Sequence, residues 1–241
     1  MTTAESIVKQ IQSALEHEPR INLHSHPIRV NVFGGTAFLD GEVENIAVKR
    51  LAAQLAAATD GVRRVTDRLR VAPAQRKGDG ATRDAVCNFL LQEPALRNCS
   101  VKVHDKGRLE TLRDISVDPG GSIEISLQDG VATLDGWVIS LSHRRLAGVL
   151  AWWAPGCRDV VNNLRVEPPE RDSDDEITDA LLLVLEKDPL LDADQIRVST
   201  RDRVVTLEGF VNTEEDRKMA EWDAWYVAGV NQVINNILVR K

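Results

Sequence analysis

The stretch TAFLDGEVEN, residues 36–45, returns as VATLDGWVIS at 131–140 and as VVTLEGFVNT at 204–213. A catalytic motif is rarely needed in triplicate, whereas a structural strand is needed once per domain. The phrase therefore speaks first about fold. Aligned on its glycine (Gly41, Gly136, Gly209), each copy carries a second glycine 20 residues later: Gly61, Gly156 and Gly229. Ahead of the first glycine lie IRV at 28–30, IEI at 123–125 and IRV at 196–198 in one register. After the second come Val65, Val160 and Val233, then Leu69, Leu164 and Ile237, then Val71, Val166 and Val239. Self-similarity at fixed offsets is the signature of repeated supersecondary units.

Upstream, each copy has an apolar-periodic segment that runs to a proline: Pro19, Pro94 and Pro189. Ile7, Ile11 and Leu15 have helical spacing, as do Ile177, Leu181 and Leu185. The residue before a proline is pushed out of the α region, so each helix stops there. Ser173, Asp174 or Asp175 supplies a cap for the third of these helices. A second helix follows the glycine phrase. Its inward residues are Ala52, Leu55 and Ala56, then Ala147, Leu150 and Ala151, then Met219, Ala220 and Ala224. Gly61, Gly156 and Gly229 end it, at the place for a residue with positive φ. Gly41, Gly136 and Gly209, inside a strand pattern, mark a bulge or a close backbone approach.

The fold expected is α+β: three tandem αββαβ domains, each a three-stranded mixed sheet packed against two helices. The domains span 1–72, 82–167 and 174–241, with polar linkers at 72–81 and 167–175. The middle copy holds about twenty extra residues near 100–121. Within them LETLRDISV is expected to form a short helix or to pack on a neighbouring copy.

The pattern resembles the BON domain family, a bacterial family. The matching residues are VTLEGFV, AGV and VINNILV in the third copy; ATLDGWV, PGC and VVNNLRV in the second; and AFLDGEV, DGV and VTDRLRV in the first. The resemblance implies the αββαβ fold, an association with bacterial envelopes, osmotic stress and phospholipid surfaces, and no shared catalytic residues.

Bulk composition sets limits of its own. The net charge is -7, which argues against general nucleic-acid binding, because phosphate neutralisation needs a dominant basic surface. No apolar run approaches the roughly 20 residues of a membrane-spanning helix. Glu5, Lys9 and Glu16 interrupt what a signal peptide would need as an apolar core. As it stands the chain reads as cytoplasmic, or periplasmic if a leader has been trimmed. Cys87, Cys99 and Cys157 are odd in number and scattered, and read as plain thiols. His24 and His26 sit at i and i+2, but no further ligand cluster follows, so a solvated loop explains them better than a metal. His143 reads as a surface residue. FGG at 33–35 and PGG at 119–121 are turns. No nucleophile–base or paired-carboxylate arrangement stands out, so neither an enzyme nor a cofactor is expected.

The candidate contact residues are aromatic and basic. Trp152 and Trp225 occupy one repeat position toward the rim of the second helix, and Trp222 lies one turn before Trp225. Paired on one helix face, Trp222 and Trp225 would form an apolar surface patch; the alternative is that these rings pack between repeats. Arg50, Arg63, Arg64, Arg144 and Arg145 belong to basic clusters around the second helix and last strand. The sequence thus suggests a non-enzymatic binding or scaffold protein that meets an anionic phospholipid surface or another protein. Alternatives are a self-associating structural protein and a small-ligand or ion-binding module.

Overall fold

The computed structural model describes residues 3–240. Two compact units divide the chain, 1–72 and 73–241.

The first unit is one αββαβ domain. Helix α1 (Ala4–Glu16) leads to strands β1 (Arg29–Phe33) and β2 (Thr36–Val43), helix α2 (Ile46–Ala57) and strand β3 (Arg64–Val71). The sheet order is β1-β2-β3, antiparallel then parallel. Thr3 caps α1 by accepting from Ser6 N–H, and Asn45 caps α2 by accepting from Val48 N–H. Ile7, Ile11 and Leu15 from α1 bury against Val30, Ala37, Leu39 and Leu69 of the sheet. The alanines of α2, Ala52 and Ala56, are fully buried, so that helix lies close on the strands. Both helices cover one face of the sheet, and the other face is open.

The second unit joins two copies. Helix α3 (Asp79–Gln92) precedes β4 (Cys99–Asp105) and β5 (Arg108–Arg113); then follow β6 (Gly121–Gln128), β7 (Val131–Val138), helix α4 (Leu141–Trp152), β8 (Asp159–Asn162) and β9 (Arg165–Val166). The sheet runs β5-β4-β6-β7-β8, with β9 also on β7. Helix α5 (Asp174–Lys187), β10 (Ile196–Arg201), β11 (Val204–Val211), α6 (Glu214–Tyr226) and β12 (Gln232–Val239) make the last copy. Its sheet is β10-β11-β12.

The middle insertion corrects one expectation. Leu109–Arg113 lie in β5, not in a helix, and the insertion adds a hairpin to the sheet edge. Alternation drives this. Val101 and Val103 are buried while Lys102 and His104 face outward, a period-2 pattern that no helix satisfies. Lys106 and Gly107 turn the hairpin with φ of 47° and 78°, the two positive values of a tight two-residue turn.

Gly41, Gly136 and Gly209 continue their strands in unbroken register, so the feature is a close backbone approach and not a bulge. A Cβ on Gly136 would lie 2.0 Å from the Ser122 carbonyl oxygen, and one on Gly209 2.0 Å from that of Gln195.

Helix α4 differs from α2 in one respect. Nearly its whole length is buried, from Leu141 through Arg145–Ala151, because α5 of the third copy packs on the side away from its own sheet. The second and third copies therefore share a seam.

Candidate functional site

The seam takes up two of the residues proposed for external contact, Arg145 and Trp152. Arg145 is 4% exposed. Its Nε donates to the Ala228 carbonyl at 2.9 Å, its Nη1 to that of Glu176 at 3.5 Å, and its Nη2 to Asp172. Burial alone would raise the Asp172 carboxyl, but the hydrogen bond and charge of Arg145, with Arg203 beside it, hold it below the usual range. Arg145 is thus an internal clamp between copies. Arg144 is half-buried and donates to the Asn162 carbonyl at 3.3 Å.

The tryptophans are likewise mostly internal. Trp225 is 4% exposed, so the surface patch expected of Trp222 and Trp225 does not form; Trp222, 40% exposed, stands without it. The helical offset of three residues sets the two side chains about 60° apart around the axis, enough for burial to take one and leave the other. Trp152 stacks on Tyr226 of the third copy, with ring centroids 5.5 Å apart. Trp152 thus packs between repeats, and Trp225 is buried.

Two residues that the sequence did not single out complete the seam. Trp153 Nε1–H donates to Asp223 Oδ1 at 2.9 Å. Asp223 is fully buried, and burial first, then the negative charge of Asp188, raise its carboxyl to about 8 against the opposing Trp153 bond. Tyr226 is raised to about 12 by burial and by Asp223. The signal for Asp223 is its phase: it precedes inward Ala224 on a helix whose outward face is already charged.

The cysteines are buried, and burial pushes Cys87 up to about 11 and Cys157 to about 12, which leaves them as poorly reactive thiols. His143 is half-buried, with Nε2 3.1 Å from the Ala95 carbonyl. Among the described residues no group of three or more His, Cys, Asp or Glu side chains is placed to hold a metal. None of the helices there is long and apolar enough to cross a membrane.

In the first domain the arrangement is different. Arg63 and Arg64 are exposed, at the start of β3. Both of their backbone N–H groups donate to the Gly35 carbonyl, at 2.8 and 3.3 Å. That contact sets them beside the β1–β2 hairpin tip, where Phe33 is 83% exposed. Arg50 is half-buried; desolvation lowers its guanidinium to about 10, with Asp67 opposing, so it stays charged at neutral pH. Lys49, on the same helix, is buried and pairs with Asp67 at 3.0 Å. The basic cluster thus splits: Lys49 and Arg50 face inward, Arg63 and Arg64 outward.

The third domain has an exposed apolar group on its open sheet face. Phe210 pairs with Leu238 in register, and both are exposed, with Ile234 two outward positions back along β12 and Arg240 over the Phe210 ring. The sequence carries the signal in the phase of β12. Ile234 and Leu238 alternate with inward Val233, Ile237 and Val239, which puts apolar residues on the solvent side.

Comparison with solved structures gives loose global matches. The C-terminal domain of CdsD, the structural protein of the type III secretion system of Chlamydia trachomatis, is 16% identical over 98% of each chain, with a TM-score of 0.26. The PrgH periplasmic domain is 11% identical over 91% of this chain and 98% of that one, with a TM-score of 0.23. No curated protein matches the sequence. The family comparison is decisive: the model of the BON domain matches residues 3–73, 106–168 and 173–241. In the middle copy the match begins within the added hairpin, which separates α3 from the rest of its domain. With three matches that together cover most of its length, this chain belongs to the BON domain family.

Proposed function

We propose that this protein is a non-catalytic binding scaffold whose first BON domain docks on anionic phospholipid surfaces. The observation that carries the reading is the hairpin tip: Phe33, 83% exposed, with the exposed Arg63 and Arg64 held beside it. An apolar ring at a loop tip, bordered by guanidinium groups, suits the boundary between acyl chains and anionic headgroups. The net charge of -7 makes such a contact local, since the rest of the surface repels the same membrane. The seam between the second and third domains supports the scaffold half of the reading, because it fixes two domains as one body by buried contacts.

The test is co-sedimentation with vesicles of rising anionic lipid content, at low and moderate salt. Binding should need anionic lipid, weaken with salt, and fall in Phe33→Ser and in Arg63→Glu/Arg64→Glu. Absence of pelleting under every condition would remove the lipid reading.

A second reading rests on the third domain. The exposed Phe210, Ile234 and Leu238 on an open sheet face favour contact with protein, including a second copy of this chain. Sedimentation velocity on Leu238→Lys separates the two: loss of self-association with vesicle binding intact assigns that face to protein.

A further inference from the structure

The three repeats solve one local problem in two ways. In the second and third domains the first hairpin is closed by two residues with positive φ: Asp129 and Gly130 (53° and 75°), Asp202 and Arg203 (52° and 63°). Their adjacent N–H groups point the same way and clasp one carboxylate. Asp79 Oδ2 accepts from Asp129 N–H at 2.8 Å and Oδ1 from Gly130 N–H at 2.9 Å. Asp174 Oδ2 accepts from Asp202 N–H at 2.7 Å and Oδ1 from Arg203 N–H at 3.0 Å. Both carboxylates belong to the first residue of the domain's leading helix, 15 residues before its proline.

The first domain keeps the donors and lacks the acceptor. The equivalent turn is Gly34–Gly35, with φ of 57° and 76°, the same paired geometry. The residue 15 before Pro19 is Ala4, again the first of its helix. The frame around the turn is otherwise conserved among the repeats. Arg63 N–H, Arg158 N–H and Asn231 N–H each donate at 2.8 Å to the carbonyl of the second turn residue. Among the described residues nothing accepts from Gly34 or Gly35 N–H. The turn opens on a cavity of about 530 Å³, lined by Ala4, Gly34, Gly35 and Arg63 with apolar Ile7, Val32 and Val62 behind. That size is in the range of small-molecule sites.

We infer that this cavity binds a small aliphatic carboxylate, whose two oxygens take the Gly34 and Gly35 N–H groups as Asp79 and Asp174 take theirs. The Arg63 side chain lies along Gly35: a Cβ built there would be 3.4 Å from its Cγ and Nε. Its guanidinium supplies countercharge from the place that Arg158 takes beside Gly130 in the second domain. The alkyl chain lies on Ile7, Val32 and Val62. This inference does not rest on the lipid reading, although both use Arg63.

The test is titration of the ¹⁵N-labelled full chain with acetate and with butyrate, at constant ionic strength against chloride and inorganic phosphate. The Gly34 and Gly35 amide resonances should move saturably, with Kd near the millimolar range for so small a ligand. Butyrate should bind more tightly than acetate, and phosphate more weakly than either. Arg63→Gln should weaken butyrate by about tenfold, the loss of one charge-assisted contact. Ala4→Asp should move both amides to ligand-bound positions without ligand, raise the thermal midpoint of the first domain, and abolish the titration. The same variant should still pellet with anionic vesicles if the lipid reading holds, so the two ideas fail separately. Amides that ignore carboxylate, prefer phosphate, or titrate equally in Ala4→Asp would overturn the inference.

Discussion

Trp153 Nε1–H donates to Asp223 Oδ1 at 2.9 Å, a bond from the residue that caps the second helix of one BON domain to the second helix of the next. It holds a buried carboxyl whose second oxygen, Oδ2, has no hydrogen-bond partner among the described residues. A group in that position favours its neutral form.

The pH dependence follows from that preference. Asp223 titrates at about 8 in the folded chain, above the ordinary value of 3.8 that it regains on unfolding. A raised acid binds its proton more tightly when folded. Its contribution is complete below about pH 4 and is lost as pH rises through about 8. The groups that face it are Asp188, Trp153 and Tyr226. The second unit should therefore melt at a higher temperature at pH 6 than at pH 9. Asp223→Asn should flatten the difference and raise the melting temperature at pH 9, at roughly 2–4 °C for each kcal/mol regained. Equal slopes in both proteins, followed by calorimetry, would count against this assignment.

Removing the indole donor should act in the opposite sense. Trp153→Phe keeps an aromatic ring, smaller than the indole, and removes the donor to Asp223 Oδ1. The expected cost is about 1–3 kcal/mol in denaturant unfolding of the second unit. It should be largest at high pH, where the carboxylate is charged.

Arg145 should prove structural, although it belongs to a basic cluster. Arg145→Leu removes the donor to the Ala228 carbonyl and leaves Asp172 with Arg203 alone. A loss of about 2–4 kcal/mol is expected. Vesicle binding by the first domain should not change. A variant that stays stable but loses lipid would reverse that order of roles.

The strand glycines give the sharpest steric prediction. Gly209→Ala places a methyl 2.0 Å from the Gln195 carbonyl oxygen at a φ of 128°. The strand pair β10–β11 must part to accept it. The third domain should lose at least ~3 kcal/mol or fail to accumulate, judged by circular dichroism and soluble yield.

What the sequence determined by itself was the repeating unit. Period-2 strands, helical apolar spacing, prolines after the leading helices and glycines at fixed offsets are local requirements of backbone geometry. They recur wherever the unit recurs, so three copies reinforced one another and showed both the fold and the family. The hairpin in the middle insertion is also local, in the alternation of Val101 and Val103 and the turn at Lys106–Gly107, but no other copy repeats it to reinforce the signal. The fate of the candidate contact residues was of another kind. Trp153 and Asp223 are 70 residues apart, and Arg145 and Ala228 are 83 apart. Helix α4 carries the same pattern as α2 but is buried on a second side, and no spacing within a repeat records a neighbour's approach. Tertiary packing alone decided that Trp225 and Arg145 are internal and that Arg63, Arg64 and Phe33 face outward. It also decided what Ala4 means, because an alanine where two sister domains have aspartate is informative only once the clasped amides are seen.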